Sequence, residues 1–403
     1  MPIARFKHIV CAISGGVDSS VAALLLKSKG YRVTGLFMRN WDALDETGVC
    51  TADQDEEDAQ YVCQKLQIPF HQVNFVKEYW HDVFSELLKQ YQGGITPNPD
   101  ILCNKHIKFD RLLRHSRDVL GADALATGHY ARTDVGETIL DRDWQSKPQP
   151  VKLLQAVDST KDQTFFLSQM SQHALQRTLF PIGDLTKGVV REIARGAGLE
   201  RIVKRKESMG ICFIGSRKFK PFIKEYLEPT PGNFVSLEDN KVVGTHEGYF
   251  IYTVGQKAKI SGMKEKWYVV DKHPTSNEVI VVPNTNHPAL YCETMLTGPV
   301  HWIREAPRQL LQEQMMDCHF RFQNTDPLVP CTLTMSSMGS VIVSLSQPLR
   351  AITPGQYAVF YLGDECLGGA VITKPGPSLF MLRNRQYRPV DGRASVKTHN
   401  SKS

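Results

Sequence analysis

An apolar run, Ile9-Val10-Cys11-Ala12-Ile13, stops at Ser14-Gly15-Gly16-Val17-Asp18-Ser19-Ser20, and helical texture follows over residues 21–27. A strand that turns into a helix through two glycines commits the chain to an α/β arrangement. Glycine lets the backbone approach a ligand closely, and the N–H groups of the helix start face whatever binds there. Such a turn suits an anion, above all the phosphates of a nucleotide. Asp18 is then placed to hold Mg²⁺ and Ser19 to bond a phosphate. No Gly-x-x-x-x-Gly-Lys-Ser/Thr occurs in the chain, so the turn is not a Walker A loop. The plainer alternative is a glycine turn that merely opens an α/β domain.

The first 130 residues repeat the alternation. Strand-like runs at 8–13, 32–38, 70–75 and 124–127 are separated by helical texture at 21–29, 53–66, 79–91 and 104–120. Gly30 suits a helix C′ position, and Asp53, Asp55, Glu56, Glu57 and Asp58 suit a helix N-terminus. This pattern predicts a parallel sheet with helices on both faces and a ligand site at the carboxyl ends of its strands. Residues 14–19, 38–41 and 128–130 fall there. Residues 132–150 read as a loop, and helices are expected at 162–178 and 185–198. From Pro229 short β-rich runs divided by Gly and Pro predict a small β domain and then a β-barrel. The expected division is 1–213, 214–290 and 291–382, with a disordered tail at 383–403.

At 403 residues the chain has room for two or three domains, and no apolar run reaches the roughly 18 residues of a membrane span. Nine cysteines without a Cys-x-x-Cys pair indicate neither a zinc knuckle nor a disulfide framework. Reduced thiols are the default, and a cysteine that matters is expected to be catalytic. The start carries Arg5, Lys7 and His8 without an acid before Asp18, which is compatible with a mitochondrial presequence. The formal charge of +6 is concentrated: ten Lys or Arg and three Glu lie between Arg191 and Lys224. A second basic stretch holds Lys105, Lys108, Arg111, Arg114 and Arg117 against Asp110. Such concentration suits a phosphate backbone; a solvated helix face is the alternative.

Two cysteines have settings that favour a thiolate. Cys103 follows Thr96-Pro97-Asn98-Pro99-Asp100, a proline-stiffened loop, and lies beside the start of the helix expected at 104–120. The helix dipole and Lys105 favour its thiolate, while Asp100 offers a proton relay but opposes the charge. Cys212 lies between Gly210 and Gly215 and follows Lys204-Arg205-Lys206, an electropositive and pliable setting. For either thiol the alternative is a small buried hydrophobe. Gly128-His129-Tyr130 and Lys161-Asp162-Gln163 are polar clusters at element ends, suited equally to function or to capping.

Taken in order, these motifs resemble the tRNA-specific 2-thiouridylases. The loop at 14–20 is similar to the pyrophosphate loop of enzymes that split ATP into AMP and pyrophosphate. The segment 35–41, Asn98-Pro99-Asp100 with Cys103, residues 128–130, 161–163 and 210–213 follow in the family's order. Later markers are Tyr252-Thr253-Val254-Gly255-Gln256, Trp267-Tyr268-Val269-Val270 and Thr353-Pro354-Gly355-Gln356. The likeness extends over about residues 6–375, and Val76-Lys77-Glu78-Tyr79-Trp80 looks closest to the animal mitochondrial branch.

The resemblance implies a pyrophosphate-loop ATPase domain, a central β domain and a C-terminal β-barrel. It implies adenylation of C2 of the wobble uridine, U34, in tRNA-Lys, tRNA-Glu and tRNA-Gln, followed by sulfur transfer from a cysteine persulfide. By carry-over Ala12, Ile13, Ser14, Gly15, Gly16, Val17, Asp18, Ser19, Met38 and Gly128 would contact ATP, with Mg²⁺ arriving alongside it. Asn98, Pro99 and Asp100 would meet the base. Cys212 would carry the persulfide and Cys103 would act as second thiol. His129, Lys161, Asp162, Gln163, Arg321, Phe322 and Gln356 would touch tRNA. Here Arg-Phe stands at 321–322 in place of the Arg-Tyr of bacterial members.

The implied partners are the tRNA anticodon loop and a cysteine desulfurase or sulfur-relay protein as donor, with no membrane. The implied place is the mitochondrial matrix, or the cytoplasm if the N-terminus is not a targeting signal. Rival readings are a pyrophosphate-loop ligase acting on a small molecule, an inactive tRNA-binding protein, and an iron–sulfur cluster on Cys103, Cys212 and Asp100.

Overall fold

The computed structural model describes residues 7–41, 51–141, 149–205 and 217–384. Cys212 and the tail from 385 lie outside the described residues. The first domain is built on parallel strands β1 (His8–Ala12), β2 (Arg32–Arg39), β3 (Phe70–Asn74) and β4 (Ala124–Ala126). They stand in the order β3-β2-β1-β4, with Thr178–Leu179 as a fifth strand beside β4. Ile9, Val10 and Cys11 are fully buried, as expected of a central strand covered on both faces. Helix α1 (Val17–Ser28) follows β1, and α2 (Thr51–Lys65) precedes β3. The strand order reverses between β1 and β4. That switch point puts the loop after β1 beside residues 127–130, where α/β folds leave a crevice.

Two sequence expectations fail here. The region 162–178 is not one helix but two single turns, Thr164–Leu167 and Gln172–Leu175, ahead of the fifth strand. The region 132–150 is not a plain loop. Arg132–Thr133 pairs with Leu153–Leu154, which in turn pairs with Glu365 and Cys366 of the barrel. The first domain thereby lends two short strands to the third.

The central sheet has five strands, with Trp267–His273 and Glu278–Pro283 in its middle. The last sheet closes on itself because Tyr291–Pro299 pairs with both Ser340–Arg350 and Glu365–Pro375. Phe320, Leu333, Val343 and Phe360 fill its core. Among the described residues no helix is long and apolar enough to cross a membrane.

Candidate active site

The glycine turn is built for close approach. Gly15 has φ +74°, and a Cβ there would come within 2.5 Å of the Asp55 carbonyl oxygen. Gly16 caps α1. The Ser19 hydroxyl donates to the Gly16 carbonyl at 3.1 Å and accepts from the Ser14 N–H at 3.1 Å, which closes the loop on itself. Gly128, just past β4, packs directly on this loop: a Cβ at 128 would sit 2.5 Å from the Ser19 nitrogen. The predicted nucleotide residues 12–19 and Gly128 are therefore adjacent. Met38, at the end of β2, is partly buried against the core.

Asp18 has two partners that the sequence did not announce. Lys187 reaches both of its carboxylate oxygens at 2.8 Å, and the Tyr130 hydroxyl donates to Oδ1 at 2.9 Å. A carboxylate already engaged on both oxygens does not fit as a standing Mg²⁺ ligand. Among the described residues no group of three or more His, Cys, Asp or Glu is placed to hold a metal. Lys187 itself was missed. The available signal was its position as the first residue of Lys187–Gly196, behind the Thr186 cap, where a cation opposes the helix dipole.

The loop before Cys103 is clamped from three sides. Asn98 caps a helix that starts at Pro99, five residues earlier than expected, by accepting from the Ile101 N–H at 3.3 Å. Proline at the first helical position explains the early start, since its missing N–H has no partner to lose there. Cys103 accordingly sits in the second turn rather than beside the helix start, and is 3 % exposed. Burial raises the Asp100 pKa and Lys108 draws it back, which favours a carboxyl able to hold a proton.

Gln356 of the barrel donates to the carbonyls of Thr96 and Pro97 at 3.0 and 3.1 Å and accepts from Asn98 at 3.3 Å. From the central domain Lys272 donates to Thr96 Oγ1 at 3.4 Å and to the Tyr252 carbonyl at 2.9 Å. Gly355, φ +92°, has the Thr96 carbonyl oxygen 2.7 Å from its Cβ direction, so no larger residue fits.

The two polar clusters do come together. The Tyr130 N–H donates to Gln163 Oε1, and the Gln163 N–H to the Tyr130 carbonyl, both at 2.9 Å. His129 pairs with Thr127 Oγ1 at 2.7 Å and lies 5.6 Å from the Phe109 ring. Burial, then Lys108, holds its pKa well below the usual histidine range, so it meets a ligand as a neutral ring. Lys161 is half-buried beside the turn.

Asp162, Arg321 and Phe322 are placed differently from the tRNA surface that the resemblance implies. Asp162 and Arg321 are 1 % and 5 % exposed and form an ion pair with each other. Asp162 also accepts from Thr164 Oγ1 at 2.7 Å and the Ala156 N–H at 3.0 Å. Phe322 belongs to the barrel core. Direct contact through these three side chains does not fit their burial; Asp162 and Arg321 tie the barrel to the first domain.

Two comparisons with known proteins bear on this geometry. Residues 7–216 match the family described as tRNA methyl transferase HUP domain. Residues 220–283 match the tRNA methyl transferase PRC-barrel domain, and 292–372 the aminomethyltransferase beta-barrel domain. A Gallus gallus protein named mitochondrial tRNA-specific 2-thiouridylase 1 is 55 % identical over 96 % of both chains. The Homo sapiens protein of that name is 56 % identical over 95 % of this chain and 94 % of its own. A Haemophilus influenzae protein named tRNA-specific 2-thiouridylase MnmA is 43 % identical over 91 % of this chain and 93 % of its own.

Proposed function

The chain belongs to the tRNA-specific 2-thiouridylase family, and from that premise we propose that it uses ATP to replace the C2 oxygen of uridine 34 in tRNA by sulfur. The relatives' names favour sulfur transfer over the methyl transfer in the family descriptions, and so does the chemistry of the site. A uracil carbonyl is a poor electrophile because its oxygen leaves badly. Attack of that oxygen on the α-phosphorus of ATP expels pyrophosphate and turns it into part of a good leaving group, AMP. Methyl transfer needs no such activation.

The observation that carries the reading is the closure of the loop at 14–19 on Gly128; to the clamped segment 96–103 we assign the base contacts and the second thiol. Asn98, Pro99 and Asp100 hold the base, which must leave its stack; an anticodon loop makes this less costly than a duplex would. Asp100 exchanges the proton at the base. The terminal sulfur of a Cys212 persulfide attacks C2, and AMP departs with the old oxygen. The Cys103 thiolate then attacks the Cys212 sulfur, the S–S bond breaks towards the uridine, and 2-thiouridine leaves. The resulting Cys103–Cys212 disulfide is reset by two external thiols or one dithiol, which supply two electrons and two protons and leave as a disulfide. Lys187 supports the loop by orienting Asp18. Ala12, Ile13, Ser14, Gly15, Gly16, Val17 and Met38 frame the nucleotide.

A cysteine desulfurase or sulfur-relay protein supplies the persulfide. The names of the relatives support a mitochondrial location, and the matrix is the compartment that holds both tRNA and such donors.

Single-turnover reactions with unmodified tRNA test this. AMP, pyrophosphate and 2-thiouridine, the last read by nucleoside mass spectrometry, are expected in equal amounts. Asp18→Ala and Lys187→Met should each cut pyrophosphate release at least about 100-fold, the scale of losing a preorganised electrostatic contact, while tRNA still binds. ADP and phosphate as products would reject the assignment.

A further inference from the structure

The basic run at 191–224 divides once folded. Arg201 and Arg205 turn to the acids of α2, reaching Asp58 at 2.7 and 2.9 Å. Arg217 lies over the Phe222 ring, 4.4 Å from its centre, and reaches Glu225 at 3.5 Å. Those cations are committed within the protein. Lys218, Lys220 and Lys224 instead line a cavity of about 600 Å³ between the short helix Phe219–Lys224 and the central domain, whose wall adds Glu247, Thr253 and Gln256. Glu247 is the one acid of the lining and pairs with Lys224 at 2.5 Å. Lys218 and Lys220 have no ion pair among the described residues, and Lys220 lies over the Tyr252 ring, 4.7 Å from its centre.

The lining is short of negative charge and rich in donors. Gln256 Oε1 is taken by the Thr253 N–H at 2.9 Å, which leaves its amide N–H groups to donate. Burial, then the neighbouring Lys259 and, against Glu247, Lys224, lower the Lys220 pKa. Cations held close together at a cost are stabilised when an anion enters among them. A group with acceptor oxygens and a single negative charge, a phosphodiester, answers this set of ammonium and amide donors.

The cavity is linked to the base loop through Tyr252, the chain neighbour of Ile251 and Thr253 in its wall. The Tyr252 carbonyl accepts from Lys272, and the same ammonium donates to Thr96, two residues before Asn98. We propose that the cavity of Lys218, Lys220 and Lys224 is a phosphodiester site that holds the tRNA backbone next to the target nucleotide. This deepens the tRNA reading above and rests on it.

The test uses the full chain and an anticodon stem-loop, with affinity measured from about 50 to 200 mM salt. Each phosphate contact contributes about 0.7 to the slope of log K against log salt on a single strand, and about threefold in affinity over that range. Lys218→Gln with Lys220→Gln should weaken binding about threefold and flatten the slope by about 0.7, the contribution of one phosphate. Lys220→Arg should keep both, and unchanged melting of each variant would confirm the fold. A methylphosphonate beside the target uridine should weaken wild type by a similar factor and the double variant no further.

Unchanged affinity and slope in the double variant would overturn the proposal. So would additive losses from the variant and the methylphosphonate, or full tRNA binding with loss only of persulfide loading, which would make the cavity a dock for an acidic donor protein. Failure of the wild type to bind the stem-loop at all would instead strike at the functional reading.

Discussion

Asp162 and Arg321 offer the sharpest division between a structural and an RNA-binding role. Both are buried, and their charges meet where the first domain abuts the barrel. Arg321 also donates to the Asn324 carbonyl at 3.1 Å and to the Tyr361 hydroxyl at 3.2 Å, and its guanidinium lies 5.1 Å from the centre of that ring. Removing one partner strands the other charge away from water, a loss of about 3–5 kcal/mol. Replacing both by apolar residues removes the desolvation cost together with the attraction, and is expected to cost only about 1–3 kcal/mol, for the Ala156 N–H left without its acceptor. Asp162→Leu or Arg321→Met alone should therefore lower the melting midpoint by roughly 6–20 °C, taking about 2–4 °C per kcal/mol for a domain of 150–250 residues. The double variant should recover part of that. Calorimetry reads the midpoint, and tRNA affinity measured well below it reads the interface. Single variants that melt as wild type but lose tRNA affinity would refute the staple and restore both residues to the RNA surface.

Two further outcomes are expected. Cys212→Ser should abolish persulfide loading and thiolation but spare pyrophosphate release, whereas Cys103→Ser should stop turnover with Cys212 still loadable. Peptide mapping after one turnover without reductant should find the Cys103–Cys212 disulfide, and full activity of either serine variant would end the two-thiol mechanism. Lys272 should make stability depend on pH, because burial lowers its pKa from 10.5 to about 8. Between those values the unfolded chain holds a proton that the folded one has released, so stability rises with pH, by on the order of 3 kcal/mol across the window. Lys272→Met should lack that rise in denaturant titrations from about pH 7.5 to 10.5; equal rises in both proteins would place the effect elsewhere.

What the sequence made legible was local. The glycine turn, the strand–helix alternation and the β-rich second half carry period and punctuation that survive in single segments. β1 and β2 were expected at 8–13 and 32–38 and stand at His8–Ala12 and Arg32–Arg39. The misses are two-residue strands and long-range pairings. Thr178–Leu179 is too short for a strand period to show against the helical texture before it. Leu153 gains its partner 213 positions later, at Cys366. Asp162 and Arg321 read as surface charges because buried charges are rare unless paired, and the pairing spans 159 positions. Lys187 announces itself only through its misfit with the helix dipole.

The placement of the site then follows from the two domains that carry no nucleotide loop. Asp18 is held by Tyr130, Tyr130 by Gln163, and the neighbouring Asp162 by Arg321 of the barrel. On the other side Thr96 is held by Lys272 of the central domain, and its carbonyl by Gln356 of the barrel. The nucleotide loop and the base loop thus lean on the same barrel through separate contacts. A reaction that joins ATP to a base of tRNA is slowed sharply when either group is displaced by an ångström. A barrel that fixes both loops removes that freedom before substrate arrives. This explains why Gln356 and Arg321, far from both loops in sequence, hydrogen-bond to the first domain.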